Sequence, residues 1–410
     1  MSKVLQNVRK FWLNEIEAIT CIMLMLIVIG TINICSASLI TAYTDFENPY
    51  YFLLRHLASV VVGSILFFLV SRKVNYKLFK KYAIPLLFIV MALLLLVLFV
   101  GVEVNGSRRW IMLPAMQFQP SELAKFAAII LCATYLGQCI DNGVRITLNP
   151  LKNRTLPLCV LMFILVELEP DMGTAMIILG IPIIMHMVAG LSPKYILVML
   201  GICAAGLAAV ATLQPYRLMR IQSWFDPWSD TQGAGYQIVQ SILAIGSGKI
   251  YGMGLGHGFS KYSYLPESHT DFAFAVYCQE TGFIGAMLVF ILILAFAFYC
   301  VRIAVRTRDG FGKMLVIGFM LLIVCQAAGN MAMVIGLIPV VGVPMPFISY
   351  GGTSLILNML SIAFIISVAR TAPPPVKKVI SAPHIEKTVI TTTDAYPAKN
   401  GKAPYLRRVK

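Results

Sequence analysis

Ten apolar runs divide the chain, at residues 18–40, 52–70, 82–102, 123–140, 156–168, 172–191, 195–213, 282–301, 314–337 and 354–368. They are continuous rather than periodic, as in helices that face lipid or other helices on every side, and most approach the roughly 20 residues that cross a bilayer. The run at 156–168 is shorter and predicts a span that borrows flanking residues or is broken. The pattern predicts an all-α, polytopic membrane protein of about ten transmembrane helices, with one long polar interruption, residues 214–271, between the seventh and eighth. Residues 1–17 form a terminal segment and 18–370 the membrane domain. The Thr-, Pro- and Lys-rich stretch 371–410 has no apolar period and reads as a disordered tail.

Composition agrees with this class, since 59% of the 410 residues are hydrophobic and only 12% are charged. A net charge of +15 would suit a nucleic-acid binder if it formed one patch. Instead the bases collect in alternate connections, such as Arg72, Lys73, Lys77, Lys80 and Lys81, or Arg302, Arg306, Arg308 and Lys313. The opposite set holds the acids Asp45, Glu47, Glu103, Glu167, Glu169, Asp171, Asp226, Asp230, Glu267 and Asp271, with few bases. The positive-inside rule then puts both termini in the cytoplasm, makes 214–271 extracytoplasmic and leaves membrane lipid headgroups, not nucleic acid, as the partner of the basic excess. The nine cysteines lie almost all in apolar runs without a paired CxxC spacing and read as small core residues.

Polar residues at membrane boundaries are the candidates for chemistry, because a charge there is costly unless it is paired or used. Tyr-Leu-Pro-Glu-Ser-His-Thr-Asp at 264–271 sets Glu267, His269 and Asp271 at the mouth of a helix; Asp271 is either a helix cap or a reactive acid, and His269 is a loop hydrogen-bonder. In Phe-Gln-Pro-Ser-Glu-Leu-Ala-Lys at 118–125, Ser121 is placed to cap a helix. Glu122 and Lys125, three residues apart, share one face as an ion pair or as the lining of a polar cavity. Arg108, Arg109 and Trp110 suit an interface anchor or a phosphate contact. Glu167, Glu169 and Asp171 crowd one hairpin, where Asp171 can cap a helix and the three acids together offer oxygen ligands to a divalent cation.

Within 214–271, Arg217 and Arg220 share a helix face, residues 235–247 have an amphipathic pattern, and glycines from 246 to 258 follow. Gly-Ser-Gly-Lys lacks the first Walker glycine and no strand precedes it, so it is flexible backbone and not a nucleotide loop. Residues 336–354, with three prolines, Ser349 and the pair Gly351 and Gly352, form broken backbone at membrane depth, which survives only in protein or at a cavity.

Together the motifs at 105–111, 118–125, 169–174, 265–274 and 342–354 resemble the SEDS proteins, the FtsW/RodA/SpoVE group of bacterial cell-wall polymerases, over roughly residues 18–370. The form Asn-Gly-Ser-Arg-Arg-Trp is most similar to the FtsW branch. Gln279 before Glu280, where the family often has a second Glu, and Lys249, where a small or apolar residue is usual, depart from the pattern. The resemblance implies a peptidoglycan glycosyltransferase that polymerises lipid II, with Asp271 matching the family's essential acid. It also implies Arg109, Lys125, Arg217, Arg220, Lys261 and Glu267 as substrate-side candidates, Glu122, Asp171, Glu280, Ser349, Gly351 and Gly352 as cavity or structural residues, and a class B penicillin-binding transpeptidase as partner. Magnesium or manganese on the pyrophosphate is compatible with this chemistry. A lipid-linked precursor flippase is the alternative reading, since a broken helix and an intramembrane Lys also suit a carrier. Against it, the polar residues gather at one face rather than at the midplane.

Overall fold

A computed structural model describes residues 14–104, 107–112, 117–147, 149, 151, 153–195, 197–199, 201, 206, 215–262 and 265–372. Its order is α1 (Glu15–Phe46), α2 (Tyr51–Lys73), α3 (Lys77–Val100), β1 (Val102–Val104), β2 (Ser107–Met112), β3 (Gln117–Phe118), α4 (Pro120–Asp141), α5 (Thr155–Leu168), α6 (Met172–Val188), α7 (Pro215–Phe225), α8 (Tyr236–Ser247), α9 (Ala273–Arg306), α10 (Gly310–Val334) and α11 (Gly352–Thr371). Among the described residues, α1–α4 and α9–α11 are long and apolar enough to cross a bilayer, and α5 and α6 are shorter apolar helices. The protein is a multi-pass membrane protein. Most of the expected run at 195–213, and the tail from residue 373, lie outside the described residues.

The inner helices are α4, α10 and α11, whose apolar windows are mostly buried, while α2 and α3 turn most of theirs outward. Phe88, Phe99, Val61 and Ile65 on α2 and α3 are more than half exposed. Such a surface would be an aggregation hazard in water, and lipid is its solvent. Inner α4 packs against α10, inner α11 packs against the outer α2, and α9 lies between α1 and α10.

The fold is helical as expected, with one small addition after α3, an antiparallel sheet in the order β1-β2-β3 with Glu103 opposite Arg108 and Met112 opposite Gln117. Two local expectations change. Ser121 does not cap α4: Gln119 takes the cap position, Pro120 starts the first turn, where its missing N–H costs nothing, and Ser121 is buried beyond it. Asp271 does not cap α9, whose cap residue is Phe272. As the placement of Asp271 at the mouth of a helix expects, α9 begins at Ala273, ahead of the apolar run at 282. The intervening Gln279 and Glu280 end the apolar pattern but are buried in protein rather than in lipid.

Candidate active site

The cavity lies where the acid-bearing turn meets the sheet, the α5–α6 hairpin and the broken backbone before α11. It encloses about 560 Å³ and is lined by Arg55, Arg109, Gln119, Glu122, Asp171, Arg220, Glu267, Asp271, Tyr350, Gly351, Gly352 and Thr353, among others. That size suits the head of a polar ligand, and both signs of charge face it.

Asp271 is fixed through its backbone. Its carbonyl accepts from Asn330 Nδ2 at 2.7 Å, and the same amide reaches the Val343 carbonyl at 2.8 Å, tying the acid turn to α10 and to the broken segment. Two residues earlier the His269 carbonyl accepts from the Tyr350 amide at 2.9 Å, and two residues later the Ala273 carbonyl accepts from Asn33 Nδ2 of α1 at 2.9 Å. Gly342 has φ +67, a backbone that favours glycine, and a Cβ there would crowd Asp271 Oδ2 at 3.3 Å. The carboxylate is surrounded by protein yet open to the cavity. Burial pushes its pKa up to about 7; Glu267 and Asp171 push in the same direction, and Arg109 and Arg220 pull back.

Strand alternation sorts the two arginines that the sequence presents as neighbours. Arg108 turns outward to an exposed ion pair with Glu103 at 3.4 Å. Arg109 turns inward, donating Nε to the Glu169 carbonyl at 3.0 Å and Nη2 to the Pro170 carbonyl. Asp171 caps α6 by accepting from the Thr174 amide at 3.2 Å, and also accepts from Gln119 Nε2 at 2.9 Å. Arg220, on α7, donates to the Val340 carbonyl at 3.0 Å. Lys125 does not line the cavity. Its Nζ sits 2.7 Å from Glu122 Oε1, with side chains 2% and 7% exposed, so Glu122 stands between it and the lumen.

Lys261 is a correction. It lies outside the cavity in a buried ion pair with Glu280 at 2.9 Å, because its other partners, Ser36 and the Gly256 carbonyl, draw the ammonium toward α1. Ser349 is also outside the lining, its Oγ accepting from the Met345 amide at 2.9 Å within the turn before Gly351. The Arg217 side chain lies outside the described residues. Arg55 is a lining residue that the sequence argument does not single out. The signal that finds it is a guanidinium inside the apolar run 52–70.

The hairpin acids do not assemble as a metal cage: among the described residues no group of three or more His, Cys, Asp or Glu side chains is disposed to hold an ion. Glu169 is 1% exposed and among the described residues its carboxyl oxygens meet no hydrogen-bond donor, and burial with the Asp171 charge lifts its pKa to about 8. Its stabilising protonated form is fully present below its ordinary 4.5 and is lost as pH rises through about 8. Glu169→Gln, which keeps the neutral shape, is expected to gain on the wild type by a few kcal/mol between about pH 5 and 8. Thermal melts in detergent across that range check it, and parallel curves would show that Glu169 is charged throughout.

Comparison with known proteins bears on this arrangement. Residues 17–373 match the FtsW/RodA/SpoVE family model, described as "Cell cycle protein". The chain belongs to the FtsW/RodA/SpoVE family. Among curated relatives, it is 37% identical over 366 residues to the "Probable peptidoglycan glycosyltransferase FtsW" of Geobacter sp. (strain M18), covering 87% of this chain and 98% of that protein. It is 36% identical over 354 residues to "Stage V sporulation protein E" of Bacillus subtilis (strain 168), covering 85% and 95%. Among solved structures, the fold is similar to a chain described under "Structural coordination of polymerization and crosslinking by a peptidoglycan synthase complex", with TM-score 0.70, 27% identity and coverage of 86% and 96%. It is also similar to the rod shape determining protein RodA of Thermus thermophilus, with TM-score 0.62, 25% identity and coverage of 87% and 97%. The five motifs that carry the family resemblance fall on the lining or on the segments that brace it.

Proposed function

We infer that this member of the FtsW/RodA/SpoVE family is a peptidoglycan glycosyltransferase that polymerises lipid II into glycan strands. The observation that carries the reading is one acid, Asp271, braced through its backbone at the wall of a charged cavity that Arg55, Arg109 and Arg220 also line. The acceptor sugar's 4-hydroxyl gives its proton to Asp271 while its oxygen bonds to the donor's anomeric carbon. The bond from that carbon to the phosphate oxygen breaks, and undecaprenyl pyrophosphate leaves. Direct displacement inverts the anomer, by the geometry that holds for inverting glycosidases. The arginines neutralise charge as it builds on the leaving group. Magnesium or manganese would be held by pyrophosphate oxygens rather than by the hairpin acids, and no step above depends on it.

The charge asymmetry of the connections supports a cavity that opens to the outer face, with both termini in the cytoplasm. The relatives' names support a place in division or wall growth on the FtsW branch, and the similarity to a peptidoglycan synthase complex supports a class B penicillin-binding transpeptidase as partner. The direct test supplies lipid II to the purified protein in detergent, alone and with that partner, and measures glycan length. Failure to lengthen lipid II in both conditions would overturn the reading.

A base must be unprotonated to act, so kcat/KM should rise with pH through about 7, the pKa of Asp271 in the free enzyme. Arg220→Ala removes a cation that holds that pKa down. The acid limb is then expected to move to higher pH and lipid II binding to weaken several-fold. A limb that stays in place under this substitution would dissociate Arg220 from Asp271.

A further inference from the structure

The chain between Lys261 and Glu280 makes an excursion with Asp271 near its middle, and its two feet are joined. Lys261 Nζ donates to Glu280 Oε1 at 2.9 Å, to Ser36 Oγ at 2.9 Å and to the Gly256 carbonyl at 2.7 Å, which uses all three donors of the ammonium. Ser36 Oγ in turn donates to Glu280 Oε1 at 2.6 Å. One residue along each foot, Gln279 Oε1 accepts from Ser260 Oγ at 2.6 Å and from the Ser260 amide at 3.2 Å. The pair is 6% and 1% exposed, and neither residue reaches the cavity.

Beneath this pair α9 is broken. Gly282 has φ +70, and a Cβ there would strike the backbone of Ile250 and Gly252. The glycine-rich segment supplies the hydrogen bonds that the break removes: Lys249 and Ile250 carbonyls accept from the Phe283 and Ile284 amides at 2.9 and 3.2 Å, and the Met253 and Gly254 amides donate to the Gln279 and Glu280 carbonyls at 3.0 and 3.1 Å. The first turns of α9, which continue directly from Asp271, are joined to the rest of that helix across the break by the Tyr277 hydroxyl, which donates to the Gly285 carbonyl at 3.2 Å. The loop supplies the further backbone bonds, and Lys261 ties the loop to Glu280 through the Gly256 carbonyl.

We propose that the Lys261–Glu280 ion pair is a positioning clasp for Asp271, setting the acid's height in the cavity, and does not contact substrate. The proposal rests on the reading of Asp271 as the base. A displacement of an ångström at a reacting group can cost about 100-fold in rate, which is the scale on which a loosened clasp would act.

The test uses the full chain in detergent with lipid II. Lys261→Met and Glu280→Gln are each expected to lower kcat about 10- to 100-fold with KM within about twofold, and the swapped pair Lys261→Glu/Glu280→Lys to regain about tenfold of that loss. A phosphate-binding Lys261 gives the opposite set: Lys261→Met raises KM, Glu280→Gln is near wild type, and the swapped pair is the worst of the three. That set would overturn the clasp. Hydrogen exchange without substrate reads the clasp independently of catalysis, and faster exchange in amides 265–279 is expected for Glu280→Gln. If the singles or the swap do not fold, the neutral pair Lys261→Met/Glu280→Gln takes their place, since removing both charges avoids stranding one. Unchanged exchange in a folded variant overturns the clasp, whereas a wild type that fails to polymerise overturns the proposed function and leaves this arm standing.

Discussion

Asp271→Asn is expected to lower lipid II polymerisation about 10²- to 10⁴-fold while the protein inserts and folds as the wild type does, the usual cost of losing a positioned general base. Two features separate this outcome from a structural defect. The bonds that fix the turn run through the Asp271 carbonyl and its neighbours' backbone, which Asn retains. The carboxyl side chain caps nothing, since Phe272 holds the cap position of α9. Folding is therefore insensitive to the exchange, and the acid limb of kcat/KM near pH 7 should disappear with the activity. Near-wild-type polymerisation by a well-folded Asp271→Asn protein would remove Asp271 from the chemistry and turn attention to Glu267, the other acid on the same turn that lines the cavity.

Lys125→Ala is expected to destabilise the protein by about 3–5 kcal/mol, because it strands the Glu122 carboxylate at a buried site 2.7 Å from where its counter-ion stood. Removing Glu122 instead should cost a similar amount for the mirror reason. Replacing both by apolar residues of similar volume should cost far less, since no charge is then left unpaired. The expected pattern of two severe single variants and one mild double variant is read by the fraction of folded protein recovered in detergent at increasing temperature. A stable Lys125→Ala protein would mean that water reaches Glu122 from the cavity and carries the charge alone.

Most spans were legible because a bilayer imposes one requirement on every helix that crosses it, a long apolar run, and that requirement is written locally. The candidate acid was legible for a related reason: Asp271 stands where a polar loop meets an apolar run, and the family resemblance gives that position its role. Asp171 as a helix cap follows from its place after Glu169 and Pro170. Lys125 against Glu122 follows from a spacing of three on one helix face.

Long-range placement was not legible. Whether a cation faces a cavity or a buried carboxylate depends on which helix packs against it, and that separates Arg109 and Arg220, which line the cavity, from Lys261, which turns to Glu280 and Ser36. The apolar run at 282–301 understates α9 for a similar reason, since hydropathy cannot tell a polar residue at a membrane surface from one satisfied inside protein, as Gln279 is by Ser260 and Ser247. The sequence by itself determined the class of protein, most of its spans and the place of the candidate acid at a helix mouth, because lipid and loop boundaries act within a few residues along the chain. Only the tertiary structure decided which charges share a cavity with that acid and which bind its loop in place, because those partners lie up to 244 residues apart, as Ser36 and Glu280 do.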